Sequence, residues 1–192
     1  MKFLTIAFLS VLMTGCSLDP APQWMLLFNA AEDVQPAKTV AEGNKAPAFK
    51  LASQDGSEIS LDQFQGKWVV LYFYPKDFTQ GCTIEAHGFQ KDEAQYQSKN
   101  AVVIGVSLDS TGSHKDFCAK EGLNFKLLSD PDAKVATTYD SLTTFQGKQY
   151  AARNTFIIDP DGVVRRVFRG VKPTGHSQEV LSALAELQHS KA

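Results

Sequence analysis

The sequence predicts an α/β fold with a central mixed β-sheet flanked by helices. An unbroken apolar run, Trp68–Phe73, and a second, largely apolar strand, Ala101–Ser107, are separated by a segment of helical length. Strands this apolar belong inside a sheet covered on both faces, and two of them joined through a helix make a βαβ unit with parallel strands. Further on, residues 155–159 and 163–169 flank Pro160, Asp161 and Gly162, a hairpin pattern that adds antiparallel strands.

Each element has its own local reason. Residues 49–52 and 58–60 read as short strands, and the run at 68–73 as a buried one. A helix is expected over 80–99, followed by the strand at 101–107. Residues 110–121 form the next helix, which starts at Ser110 and stops at Gly122, a residue suited to a left-handed C-terminal turn. Asp130 and Pro131 mark an N-cap and first turn for a short helix over 133–139. After the hairpin, a last helix spans 177–188.

The chain has 192 residues, 43% of them apolar, enough for one ordinary core. Residues 40–192 hold every predicted element and are taken as a single domain. The formal charge is −2, and no block of Lys and Arg offers a footprint for nucleic acid, which is excluded as a partner.

Residues 1–15 combine a lysine at position 2 with an apolar core too short to span a bilayer comfortably, as in an export signal. Leu12, Met13, Thr14, Gly15 and Cys16 resemble the lipobox of bacterial lipoproteins, which implies cleavage before Cys16 and acylation of that residue. The expectation is an exported protein held on a bacterial membrane by its lipid anchor and facing the periplasm. Residues 16–39, broken by Pro20, Pro22 and Pro36, read as a tether. The apolar cluster at 24–28 fits either the membrane surface or the folded domain.

Only three cysteines occur, so no disulfide framework is implied. Cys82 is the one whose surroundings suggest chemistry. It follows Pro75, Lys76, Asp77, Phe78, Thr79, Gln80 and Gly81, at the point where the buried strand gives way to a helix. With Thr79 as N-cap, its hydroxyl and the amide of Cys82 converge where free N–H groups and the helix dipole favour negative charge. Such a position favours a reactive thiolate over an inert buried thiol.

The spacing P-x-x-x-T-x-x-C, with a later Arg153 ahead of Asn154, Thr155 and Phe156, resembles the peroxiredoxins, thiol peroxidases with a thioredoxin-like fold. Matches at Ala46 to Phe49, Tyr72 to Pro75, Gly81 to Ala86 and Leu127 to Asp130 resemble the bacterioferritin-comigratory, or Q-type, branch. The resemblance implies that Cys82 attacks the O–O bond of hydrogen peroxide or an organic hydroperoxide and becomes a sulfenic acid. It further implies that Pro75 shields the sulfur, that Thr79 and Arg153 orient the peroxide, and that Glu85 buttresses Arg153. No metal or other cofactor is called for.

Many Q-type relatives place a resolving cysteine five residues after the first, where this chain has His87. A second group places it on the next helix, which implies Cys118 here, a Cys82–Cys118 intramolecular disulfide and recycling by a thioredoxin-like dithiol reductant. A monomer is the expected state. The bare residues leave open that Cys118 only packs in the core. His114, four residues before Cys118, makes with it too small a set to hold zinc. His87, His176 and His189 read as surface or capping residues. A thiol-disulfide oxidoreductase would display C-x-x-C, but Thr79 and Glu85 occupy the positions three away from Cys82. A binding module without activity would not need Thr79, Cys82 and Arg153 together.

Overall fold

The computed structural model describes residues 40–190. The signal-like segment, Cys16 and the cluster at 24–28 lie outside them. The described residues form a seven-stranded sheet and a separate two-stranded hairpin. In chain order the elements are β1 (Lys50–Ser53), β2 (Glu58–Ser60), a 3₁₀ turn (Leu61–Phe64), β3 (Trp68–Phe73), α1 (Gln80–Lys91) and α2 (Glu93–Ser98). Then follow β4 (Ala101–Ser107), α3 (Thr111–Glu121), β5 (Lys126–Ser129), α4 (Lys134–Thr138), β6 (Leu142–Phe145), β7 (Lys148–Ala151), β8 (Asn154–Ile158), β9 (Val164–Arg169) and α5 (His176–His189).

The main sheet runs β2-β1-β5-β4-β3-β8-β9, a thioredoxin-like α/β arrangement. β3, β4 and β5 are parallel, and antiparallel pairs extend the sheet on both sides. All six residues of β3 are buried, because successive side chains enter opposite cores. Val70 and Tyr72 join Phe89, Tyr96, Phe117, Val180 and Leu184 on the face covered by α1, α2, α3 and α5. Val69, Leu71 and Phe73 meet Tyr139, Phe156 and Val164 on the other.

Gly105 of β4 sits between Tyr72 and Leu127 in the sheet register. A Cβ there would lie 2.6 Å from Leu127 and 2.8 Å from the Tyr72 ring, so only glycine lets that ring lie across the sheet.

Two expectations change. The helix foreseen over 80–99 breaks at Asp92, whose buried carboxylate accepts from Ser177 Oγ of α5 at 2.7 Å. That bond and Tyr96 Oη donating to Ser177 O at 2.7 Å dock the shortened α2 on α5. The short helix near 133–139 is α4, and Ala133 at its start is left-handed (φ 55°). Asp130 reaches past Pro131 and accepts from the Ala136 amide at 2.8 Å. The hairpin β6–β7 and strand β5 escaped sequence reading. Each is four residues long, and β6 and β7 are mostly exposed and carry no sustained apolar pattern of a buried strand.

Candidate active site

Cys82 lies in the first turn of α1, where β3 ends and the chain crosses to β4. It is only 1% exposed. Thr79 is the N-cap in backbone terms (φ −83°, ψ 145°), but its hydroxyl does not cap the helix as the sequence suggested. It donates instead to the Lys76 carbonyl at 3.0 Å. The first-turn amides are thus left without that side-chain acceptor, which keeps their dipole available near the sulfur. Pro75, half-buried, immediately follows Tyr74, whose amide bonds Val106 O at 3.1 Å beyond the end of β3.

Arg153 reaches this turn through sheet topology. β8 runs antiparallel to β3 with Asn154 opposite Phe73, so the residue before β8 stands beside the residues that follow β3. Arg153 Nη2 lies 3.4 Å from Cys82 Sγ. Its Nη1 donates to Glu85 Oε2. Glu85 is one turn beyond Cys82 on α1, a spacing that puts both on one helix face. The structure therefore brings together Cys82, Arg153 and Glu85, with Thr79 and Pro75 on the same loop.

The electrostatics are those of a dry, paired site. Burial pushes the Glu85 carboxyl up to about 7, against the pull of Arg153. Burial also pulls the Arg153 guanidinium down, but Glu85 and the Cys82 sulfur outweigh it and hold it above its ordinary value. Glu85 Oε1 is buried without a hydrogen-bond partner among the described residues. A guanidinium that faces a sulfur on one edge and a carboxylate on the other can hold an anionic sulfur and stabilise charge developing on a departing oxygen.

Cys118, on α3, is also a free thiol, 8% exposed and in the same apolar core as Cys82. Burial, and then the nearby Asp77 carboxylate, push its thiol up to about 11. It is thus a poor nucleophile while α3 is docked.

Sequence reasoning missed three residues. Gly81 precedes Cys82, and a Cβ there would come 3.2 Å from Arg153 Nη2 and 3.4 Å from Pro173. Its signal was available, since glycine inside a helix weakens it unless something approaches closely. Asp77 is 3% exposed and accepts from Tyr74 Oη at 2.8 Å, Ser113 Oγ at 2.7 Å and His114 Nδ1 at 2.8 Å. An acidic residue in a polar loop sequence gives no hint that it is buried. His114, weighed above only as a metal ligand, has its other ring nitrogen 3.2 Å from Leu128 O, so neither nitrogen is free for a metal. His176 is a correction of another kind. It is 1% exposed rather than at the surface, with Nε2 2.8 Å from Thr155 Oγ1 and Nδ1 3.1 Å from Glu179 Oε2, and burial lowers its pKa.

Residues 42–167 match the model of the AhpC/TSA family. A putative peroxiredoxin bcp of Helicobacter pylori strain J99 is 47% identical over 146 residues, covering 74% of this chain and 96% of that protein. A solved cysteine variant of Xylella fastidiosa PrxQ superposes with a TM-score of 0.75 at 34% identity, covering 79% of this chain and 99% of the other. The Xanthomonas campestris bacterioferritin comigratory protein, solved as trapped intermediate and ligand complexes, gives a TM-score of 0.68 at 37% identity over 72% of this chain and 90% of that one.

Proposed function

Because the chain belongs to the AhpC/TSA family, and within it to the Bcp/PrxQ peroxiredoxins, we propose that Cys82 is the thiol with which it reduces hydroperoxides. The chain is a thiol peroxidase. One observation carries the assignment of residues within it: Arg153 Nη2 at 3.4 Å from Cys82 Sγ, with the same guanidinium anchored on buried Glu85.

The Cys82 thiolate attacks the terminal oxygen of the peroxide. An S–O bond forms as the O–O bond breaks, and the departing oxygen leaves as water or alcohol once protonated. Arg153 holds the thiolate and the oxygen charge that develops. Glu85 fixes the plane of the guanidinium, Thr79 presents its hydroxyl oxygen to the peroxide, and Pro75 shields the sulfur from bulk water. Hydrogen peroxide and organic hydroperoxides are the substrates we assign; alkyl peroxide reduction is described for the Xanthomonas campestris relative.

Cys118 is the proposed resolving thiol, and a thioredoxin-like dithiol the proposed reductant of the Cys82–Cys118 disulfide. Solved forms of Xanthomonas campestris peroxiredoxin Q include serine variants of two cysteines with the same separation along the chain as Cys82 and Cys118, which supports this pairing. We further propose export as a lipoprotein acylated at Cys16, facing the periplasm on a bacterial membrane, and a monomeric state; the lipobox-like residues 12–16 support the first. Peroxide consumption by Cys82→Ser, coupled to a dithiol reductant, tests the central assignment. Abolished turnover is the expected result, and retained turnover would overturn it.

A further inference from the structure

Arg153 stands just outside the strand ladder. β8 begins at Asn154, so sheet pairing carries Arg153 to the site without holding its own backbone, and Glu85 holds only the far end of its side chain. Its carbonyl is held by the segment between β9 and α5. The Val171 amide donates to Arg153 O at 3.0 Å, and the Gly170 amide donates to Asn154 Oδ1 at 3.0 Å. Pro173 and Arg153 Nη2 both crowd Gly81, lying 3.4 Å and 3.2 Å from where a Cβ would stand, so the same segment borders the guanidinium.

Residues 170–175 form neither helix nor strand and turn through left-handed glycines at Gly170 (φ 60°) and Gly175 (φ 81°), so their place depends on what ties their ends. His176, the first residue of α5, supplies the second tie. Its Nε2 lies 2.8 Å from Oγ1 of Thr155, two residues beyond Arg153. A closed ring results, from Arg153 to Val171, along the chain to His176, across to Thr155 and back along β8. The joint at His176 is dry: the ring is 1% exposed and Thr155 0%, where an unmade bond costs most. Phe89 and Phe168 meet the imidazole edge-on, with centroids 5.8 Å and 5.5 Å away. Nδ1 faces Glu179 Oε2 at 3.1 Å, a carboxylate that can only accept, so Nδ1 donates there and Nε2 accepts from the Thr155 hydroxyl. Burial lowers the pKa of the ring against the pull of Glu179, and the charge of Arg153 adds to that lowering.

We propose that His176 is a positioning residue for the peroxide step: through Thr155 it fixes the 170–175 segment against the start of β8, and so sets the backbone from which Arg153 reaches Cys82. The inference rests on the reading that Arg153 acts on the peroxide at Cys82. Cutting the ring between Thr155 and His176 leaves Arg153 paired with Glu85 but loosens the segment behind it, and the guanidinium drifts relative to the sulfur. Misplacement by about 1 Å can cost about 100-fold, so a smaller drift slows attack on the O–O bond by about 10-fold. Alkylation of the same thiolate by iodoacetamide makes no such demand, because iodide leaves without a guanidinium to hold its charge.

The test uses the full chain with His176→Phe and Thr155→Val, which remove the bond from either side, with Thr155→Ser, which restores a hydroxyl, and with Arg153→Lys. Stopped-flow mixing with hydrogen peroxide reads the first step, and mass spectrometry of the Cys82 peptide reads alkylation by iodoacetamide. His176→Phe and Thr155→Val should each lower the peroxide rate constant by about 10-fold and the alkylation rate by less than about threefold. Thr155→Ser should stay within about threefold of the wild type with both reagents. If His176→Phe does not fold, Thr155→Val against Thr155→Ser decides the matter. A Thr155→Val peroxide rate within about twofold of the wild type, or equal losses with the two reagents, overturns the role of His176 alone when Arg153→Lys is slow. Arg153→Lys at the wild-type peroxide rate overturns the reading of Arg153 and the role of His176 with it.

Discussion

Arg153 touches Cys82 with one edge of its guanidinium and Glu85 with the other, so a single side chain from just ahead of β8 joins the sulfur to a buried carboxylate one turn along α1. Both contacts depend on donors fixed in one plane. A lysine in that place offers a point charge on a flexible stem and cannot hold both partners in the same geometry. Arg153→Lys should lower the second-order rate constant with hydrogen peroxide by about 100- to 1,000-fold, the loss expected on removing one preorganised donor. Stopped-flow measurement at saturating reductant checks this, and an unchanged constant removes Arg153 from the site.

Glu85 carries a pH dependence. Its carboxyl is raised to about 7, so as pH falls through that value it takes up a proton and Arg153 loses its anionic anchor. The peroxide rate constant should therefore fall as pH drops through about 7, and Glu85→Gln should flatten that limb of the profile. The stability effect has the opposite sense. The folded protein binds the Glu85 proton more tightly than the unfolded chain, so this group's contribution to stability falls as pH rises from about 4.5 to about 7. Denaturant titrations across that range, wild type against Glu85→Gln, would show it; equal slopes for the two proteins refute it.

Gly81 separates helix propensity from function. Alanine is favoured in a helix by about 1 kcal/mol over glycine, so Gly81→Ala should not weaken α1 through propensity. The new methyl would stand 3.2 Å from Arg153 Nη2 and move the guanidinium relative to Cys82. We expect a rate constant lowered by about 10-fold with the unfolding midpoint maintained. A variant with the wild-type rate would show that Arg153 gives way at no cost to catalysis.

Cys118→Ser should consume about one equivalent of peroxide, accumulate sulfenic acid and over-oxidise rather than turn over with a dithiol protein reductant. In the wild type, peroxide should produce an intramolecular Cys82–Cys118 disulfide with faster amide exchange in α3. Bridged cysteines need Cα atoms within about 7 Å, a distance that two docked helices do not readily meet.

Cys16→Ser should free the protein from membranes and leave its peroxidase activity intact, as expected when a lipid chain supplies the anchor. Fractionation that finds the wild type already soluble counts against lipidation.

The sequence alone determined what depends on neighbours along the chain. β3 was legible as a continuous apolar run and β4 as a largely apolar one, α3 because Ser110 accepts from the Ser113 amide and Gly122 closes the far end in a left-handed turn, and the β8–β9 hairpin because of its turn residues. Cys82 at the start of a helix is likewise a local fact. Tertiary structure decided what comes together across long separations. Sheet pairing of Asn154 with Phe73 carries Arg153 to Cys82, and burial makes Asp77 a partner of His114 instead of a solvated loop residue. The break of the first helix at Asp92 answers to Ser177 on α5, far along the chain, and the exposed β6–β7 hairpin has no apolar pattern to announce it. Periodicity and capping are written in adjacent residues. Desolvation, and the choice of which distant group satisfies a buried charge, are settled only when the layers close.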